Sequence, residues 1–126
     1  MIISRLKPQE DLKKGIINLS KQNGIKSGII ICMVGSLNSA TLRMANGNYK
    51  TFNGPFEIVS AEGTISADGV HVHISISDIE GQVFGGHLGE GCIINTTAEI
   101  GIIKSDKTLR RVFDPETGYK ELTIDD

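Results

Sequence analysis

One segment near the start of the 126-residue sequence has the apolar spacing of an amphipathic helix. Leu12, Ile16 and Leu19 recur at intervals of four and three residues, which places them on one face of a helix. Asn23-Gly24 follows this pattern and is typical of a helix end, with glycine in the left-handed conformation. We therefore predict one principal helix, over residues 9–23.

The rest of the sequence changes to β-branched runs separated by glycine-rich turns. Tryptophan is absent and aromatic residues make up only 5%, so isoleucine, valine and leucine must form most of the core, which favours sheet. Turns such as Asp68-Gly69 have hairpin length and favour antiparallel pairing. The predicted strands are residues 1–6, 27–34, 40–44, 49–52, 56–66, 70–77, 82–84, 92–104 and 109–113. Breaks are expected at residues 35–38 and 53–55, a loop at 85–91, and fraying at 121–126.

These elements predict a single α+β domain over residues 1–126, with a mainly antiparallel sheet and one N-terminal helix. Strands that are apolar on both faces need cover on both, and one helix can supply only part of it. A curled sheet or self-association would supply the rest. The sequence therefore favours a curled sheet, an oligomer, or both.

Charge and cysteine usage limit the classes of partner. Lys and Arg number 13 against 15 for Asp and Glu, a net charge of −2, whereas binding through nucleic-acid phosphates usually needs a basic surplus. Cys32 and Cys92 lie in apolar runs without a metal or redox spacing, so two buried free thiols in a reducing compartment are expected. The sequence has neither a leader pattern nor a membrane-spanning run, which predicts a soluble, cytoplasmic protein without membrane contacts.

All three histidines of the sequence fall within residues 71–87. His71 and His73 are two apart on a predicted strand, so both side chains project from the same face. His87 follows Gly85-Gly86, where the backbone can approach a site closely. Three imidazoles with an open fourth position form a known zinc geometry and also suit other first-row metals. The pattern fits one shared metal or ligand site, and it also fits ordinary surface histidines.

Other charged residues could assist such a site or bind DNA. A carboxylate near a metal can orient an imidazole or deprotonate bound water, although each candidate also fits an ordinary surface position. These candidates are Glu57, Asp78 and Glu99. A basic cluster near the C-terminus supplies the candidate DNA contacts Lys104, Lys107, Arg110 and Arg111.

Several ordered motifs resemble the PPC domain, the plant and prokaryote conserved domain, over nearly the whole chain. The matching segments are residues 5–8, 10–12, 34–37, 54–66, 71–78, 81–91 and 96–99. The sequence departs from the plant form at Pro55, where the plant domain has arginine. It also contains no Arg-Gly-Arg-Pro hook of the kind that grips the minor groove in plant nuclear proteins.

The resemblance implies a homotrimer of α+β subunits that mediates self-association and protein contacts. It also implies that His71, His73 and His87 act together as ligands, because all three lie inside matching motifs. Stand-alone prokaryotic members are described as DNA-binding by similarity. The leading hypothesis is a homotrimeric module that binds a divalent metal, with Zn²⁺ expected, and associates with DNA or other regulatory proteins.

Two further hypotheses remain open. The same histidines would suit a small zinc-dependent enzyme, in which Glu57, Asp78 or Glu99 acts as the base. Direct DNA binding through the C-terminal basic cluster would instead give salt-sensitive affinity for duplex DNA.

Overall fold

The computed structural model describes residues 1–125, and the helix of this part, α1, spans Leu12–Gln22. The helix begins three residues later than predicted because the Asp11 side chain caps it, accepting the backbone N–H of Lys14 at 3.0 Å. Leu12, Ile16 and Leu19 are buried, which confirms the predicted apolar face. This face packs on the sheet, where α1 contacts two of the strands introduced next, β4 and β6.

The described part of the chain also contains eight strands. They are β1 (Ile2–Leu6), β2 (Gly28–Arg43), β3 (Tyr49–Ser66), β4 (Gly69–Ser77), β5 (Val83–Leu88), β6 (Ile93–Lys104), β7 (Thr108–Asp114) and β8 (Tyr119–Asp125). Six strands form one sheet in the order β1-β6-β2-β3-β4-β5, and β7 pairs with β8 in a separate ribbon. Each of these pairings is antiparallel, as predicted.

The six-stranded sheet curls until β5 meets β2. Leu42 pairs with Leu88 and Arg43 pairs with His87, so β2, β3, β4 and β5 form a closed ring of strands. This closure confirms the predicted curled sheet. It also gives the apolar strands an interior to face, as small closed sheets do.

Two strands are longer than predicted because they pass through the expected breaks. β2 continues across residues 35–38, with a shift of register between Leu37 and Ser39 on pairing with both neighbours. β3 continues through Gly54-Pro55, which is a cis peptide bond. A bulge accommodates an extra residue without ending the strand. Glycine and proline therefore mark irregularities within β2 and β3, and they do not mark the ends of these strands.

The predictions for residues 85–88 and for the C-terminal tail were also wrong. Residues 83–88, divided in the prediction between a short strand and a loop, form the single strand β5. The tail was expected to fray from residue 121, but β8 pairs with β7 from Tyr119 to Asp125 after a turn at Gly118, whose φ is +79°. The prediction missed this turn signal. Asp126 lies outside the described residues.

The two cysteines differ in environment. Cys92 is fully buried, as predicted, and its burial raises the pKa of the thiol to about 11. Cys32 is exposed, so the prediction of two buried thiols was wrong for this residue. A register shift between Ile30 and Cys32 breaks the alternation of β2 and turns Cys32 away from the core.

Large apolar side chains are exposed on the outer surface of three adjacent strands. Ile29 of β2 pairs with Ile103 of β6, and both are more than two fifths exposed. Val34 is 59% exposed on the same strand, β2. We call this set the outer apolar face, and it comprises Ile3, Ile29, Ile31, Val34 and Ile103. Over residues 1–125, no helix has the length and apolar character that a membrane crossing needs.

Candidate metal centre

Alternation along β4 determines where the first two histidines point. Val72, Ile74 and Ile76 are buried in the core. His71 and His73 occupy the intervening positions, and their side chains project from the outer surface of the sheet. The prediction that both side chains share one face is confirmed.

The third histidine reaches the same site through the closure of the sheet. His87 pairs with His73 across β4 and β5, and with Arg43 across β5 and β2. The two preceding glycines permit these close pairings. A Cβ atom on Gly85 would lie 2.1 Å from the carbonyl oxygen of Ile74, and one on Gly86 would lie 2.8 Å from that of Arg43. The expected close backbone approach therefore occurs, but on a strand and not on a loop.

The three imidazoles form one compact cluster. The Nε2 atoms of His71 and His73 are 3.2 Å apart, and one nitrogen of His87 lies within 4.8 Å of the other two ligand atoms. A tetrahedral zinc ion with Zn–N bonds of about 2.0–2.1 Å separates its ligand nitrogens by about 3.3 Å. Two nitrogens already have this spacing. An N–H···N hydrogen bond between the two rings gives the same spacing, and a metal ion would take the place of that proton, so the donor set fits a metal ion.

The surroundings keep two of the imidazoles in the neutral form that binds metal. Partial burial lowers the pKa of His87 to about 4, and the positive charge of Arg43 adds to this effect. Burial also lowers the pKa of His71, followed in importance by the charge of Arg111. Because neutral imidazole is the ligand form, both rings are competent to bind metal at neutral pH.

Arginine, tyrosine and glutamate side chains, which sequence reasoning did not assign to the site, line the recesses around the histidines. Arg43 donates from Nη2 to Nδ1 of His87 at 3.3 Å and lies 5.1 Å from the ring centroid of Tyr119. Glu62 pairs with His73 across β3 and β4, and Glu121 of β8 lines the same recess. Each belongs to a different strand from the histidines, so only knowledge of the strand register would have identified it.

The predicted carboxylates lie elsewhere. Glu57 pairs with Ser77, four residues along β4 from His73, and shares a separate recess with Asp78. Asp78 instead accepts the backbone N–H groups of Glu80 and Gln82, both at 2.9 Å, in the turn after β4. Glu99 lies on β6, beside β1 and β2. The structure therefore does not bring these three residues to the histidines.

The predicted basic cluster is also divided. Arg110 pairs with Asp68 at 3.2 Å, whereas Arg111 donates to Oγ1 of Thr64 at 2.7 Å and lines the recess beside the histidines. Lys104 ends β6, and Lys107 lies in the turn before β7. Within the described residues, Arg111 is the member of this group that lines the histidine recesses.

Comparisons with known proteins agree with this architecture. Bifunctional protein GlmU from a Synechococcus strain is 42% identical over 123 residues, which cover 95% of this chain and 19% of that protein. AT-hook motif nuclear-localized protein 2 from Arabidopsis thaliana is 33% identical over 98 residues, or 70% of this chain and 29% of that protein. The chain thus spans less than a third of the length of either relative.

Solved structures are similar over almost the whole chain. A protein from Salmonella cholerae-suis has a TM-score of 0.92 and 32% identity, covering 98% of this chain and 91% of its own. A candidate DNA-binding protein from Bacteroides thetaiotaomicron has a TM-score of 0.87 and 26% identity, covering 96% and 89%. Residues 1–106 match the family described as the Plants and Prokaryotes Conserved (PCC) domain. The chain therefore belongs to this family, the PPC domain that its sequence motifs resemble.

Proposed function

We propose that this protein is a metal-binding PPC module that holds one divalent ion, preferably Zn²⁺, between His71, His73 and His87. The observation that carries the proposal is the convergence of three imidazole nitrogens within 4.8 Å of one another. The lowered pKa of His71 and His87 also supports it, because protons compete weakly for these rings.

A bound ion would supply positive charge and an open coordination position at the surface of the sheet. The protein residues define what can reach that position. His73 is exposed, and the β7–β8 ribbon borders the recess through Arg111, Glu121 and Leu122. A site this open favours binding of a ligand or partner over catalysis, which usually excludes water from the reacting groups.

A small zinc-dependent enzyme is the alternative function, and the position of two carboxylates supports it. Glu62 and Glu121 line the recess that contains His71 and His73. Either could serve as a base for a metal-bound water.

Self-association as a homotrimer is the second part of the proposal. The outer apolar face supports it, because exposed isoleucine and valine side chains lie together on β1, β6 and β2. Contiguous apolar patches of this kind mark contact surfaces more often than free surface. Burial of this face between subunits would supply the cover that the apolar strands require.

Association with DNA or regulatory proteins is the third part. The family membership and the similarity to the Bacteroides candidate DNA-binding protein support it. The divided basic cluster and the net charge of −2 favour association through a partner over direct phosphate contacts. A fluorescence titration with duplex DNA at about 50 and 200 mM salt tests this part, since direct binding must weaken steeply with salt.

Metal analysis of the purified protein tests the central claim. We expect about one Zn²⁺ per chain after dialysis against a zinc buffer, and loss of that zinc in a double variant, His71→Ala/His73→Ala. Ser75→Ala, on the same face of β4, is the matched control and should retain the metal. Equal zinc content in the double variant and the control would refute the proposed site.

A further inference from the structure

A second recess beside the histidines, separate from the one that Glu62 lines, has two arginines on its wall. It has a volume of about 290 Å³, and Arg43, Arg111, His71, His87 and Tyr119 line it together with Asp68, Lys120 and Glu121. This volume suits a small molecule of metabolite size, at the lower end of the usual range for ligand sites.

The charges around this recess do not cancel. Asp68 already accepts hydrogen bonds from Nε of Arg110 at 3.2 Å and from the backbone N–H of Arg111 at 3.0 Å. The other charged residues of the recess are one acid, Glu121, and three bases, Arg43, Arg111 and Lys120. The recess therefore has an excess of positive charge on a protein whose net charge is −2.

Both guanidinium groups are held in place by other contacts. Arg43 lies over the ring of Tyr119 and donates to His87, and Arg111 donates to Thr64. Each of these side-chain hydrogen bonds uses one of the five N–H groups that a guanidinium carries. A pre-positioned guanidinium binds carboxylate or phosphate oxygens in a bidentate manner and loses little entropy on binding.

The two arginines belong to different strands, which meet beside the histidines. Arg43 ends β2, at the point where the sheet closes on β5, whereas Arg111 belongs to the β7–β8 ribbon. Both arginines line this recess together with His71 and His87. An anion seated between them would therefore lie against the imidazole cluster.

We propose that this recess binds a small oxyanion, a phosphate or carboxylate group of a metabolite, through Arg43 and Arg111. If the histidines hold a metal ion, one oxygen of the anion would face that ion and could fill its open position. This second feature rests on the proposed function, because it requires an ion at His71, His73 and His87. Recognition by the two arginines does not require it.

Calorimetric titration of the purified full chain tests the proposal in zinc-loaded and chelator-treated forms. Inorganic phosphate and acetate, titrated separately, distinguish a phosphate-bearing from a carboxylate-bearing ligand. We expect Arg43→Met and Arg111→Met each to weaken the preferred anion about tenfold or more, because each removes a charge-assisted bidentate contact. Arg5→Met, on β1 at the opposite edge of the sheet, is the control and should bind as the unaltered protein does.

The outcomes separate the two proposals. Zinc binding without measurable anion binding, or with equal affinity in the arginine variants and the control, overturns the anion site and leaves the metal site intact. Arginine-dependent anion binding without any retained zinc overturns the metal site and leaves the anion site. If a methionine variant does not fold, Arg43→Lys and Arg111→Lys keep the charge, and the loss of the planar fork should still weaken binding measurably.

Discussion

Arg43 and His87 lie 44 residues apart in sequence, yet Nη2 of Arg43 donates to Nδ1 of His87 at 3.3 Å. The contact exists because the two residues are register partners where β2 meets β5. The strand pairing that closes the sheet therefore also positions His87 in the histidine cluster. Because Nδ1 accepts this bond, the proton of the neutral ring lies on Nε2. A metal ion at either ring nitrogen therefore requires the bond from Arg43 to break.

Zinc should stabilise the folded protein. An ion that binds the three histidines only in the folded state adds about 2.7 kcal/mol to the free energy of unfolding at a free concentration of 100 times Kd. Urea unfolding with buffered Zn²⁺ and with chelator measures this difference. His87→Ala should remove most of it because the third ligand is lost, and an equal zinc effect in this variant would exclude His87 as a ligand.

Stability of the metal-free protein should fall in mild acid. The pKa of His87 is about 4 in the folded state, below its ordinary value of 6.5, so the unfolded chain binds more protons between these values. The contribution of His87 is complete above about pH 6.5 and is lost as the pH falls toward 4. We expect a loss on the order of 1 kcal/mol, since solvent screens this partly exposed ring.

Urea unfolding in chelator at about pH 7.5, 5.5 and 4.5 measures this pH dependence. His87→Gln should flatten the curve over that range. Arg43→Met should raise the pKa of His87 toward its ordinary value by removing a nearby positive charge. The stability that is lost in acid should then be smaller. A curve for His87→Gln as steep as that of the unaltered protein would assign the acid sensitivity to other groups.

Gly85→Ala should destabilise the protein and disturb the site. The added Cβ would lie 2.1 Å from the carbonyl oxygen of Ile74, so β5 must move away from β4. We expect a loss of about 1–3 kcal/mol, as for other overpacked positions, and weaker zinc binding because His87 lies on the displaced strand. Ser77→Ala, at the end of β4, is the control. Unchanged stability of the glycine variant would show that the strands can separate without cost.

Local rules predicted the parts of the site that depend on one strand. Alternation placed His71 and His73 together because side chains two apart share a face wherever a strand has no bulge. His87 was expected on a loop, because Gly85 and Gly86 suggest a turn when their neighbours are unknown. Their actual role is to let β5 approach β4 and β2, and this depends on pairing between distant segments.

The same limit explains the charged residues that were missed. Glu62 faces His73 only because β3 and β4 pair in one particular register. Arg111 was identified as a basic residue, but its position against the histidines depends on where the β7–β8 ribbon rests on the sheet. No spacing in the sequence encodes these placements. From the sequence alone, Glu62 was therefore no better a candidate for the site than Glu57, Asp78 or Glu99.

Charge on the outer apolar face should prevent self-association. Val34 is 59% exposed in the isolated chain and lies on β2, the strand that carries three of the five residues of this face. Val34→Lys would bury a charge if the face is covered in an oligomer, so we expect a monomer in sedimentation experiments. Ile79→Lys is the matched control, because Ile79 is 83% exposed in the turn after β4. The same oligomeric state in both variants would remove this face as the interface.

Asp11 should matter more than an ordinary helix cap, because its two carboxylate oxygens serve different segments. Oδ1 accepts the N–H of Lys14 at 3.0 Å, and Oδ2 accepts the N–H of Gly91 at 2.7 Å. Asp11→Ala loses the cap, about 1 kcal/mol, and leaves a partly buried N–H unsatisfied, about 1–3 kcal/mol more.

Asp11→Asn separates the two contributions, since an amide has one accepting oxygen and can serve either the cap or the loop. We expect its stability in urea unfolding to lie between those of the unaltered protein and Asp11→Ala. Asp106→Ala, at an exposed acidic position, controls for the loss of charge. If Asp11→Ala loses no more than the roughly 1 kcal/mol of a single cap, the bond to Gly91 contributes nothing, and α1 is not fastened to the β5–β6 connection through this side chain.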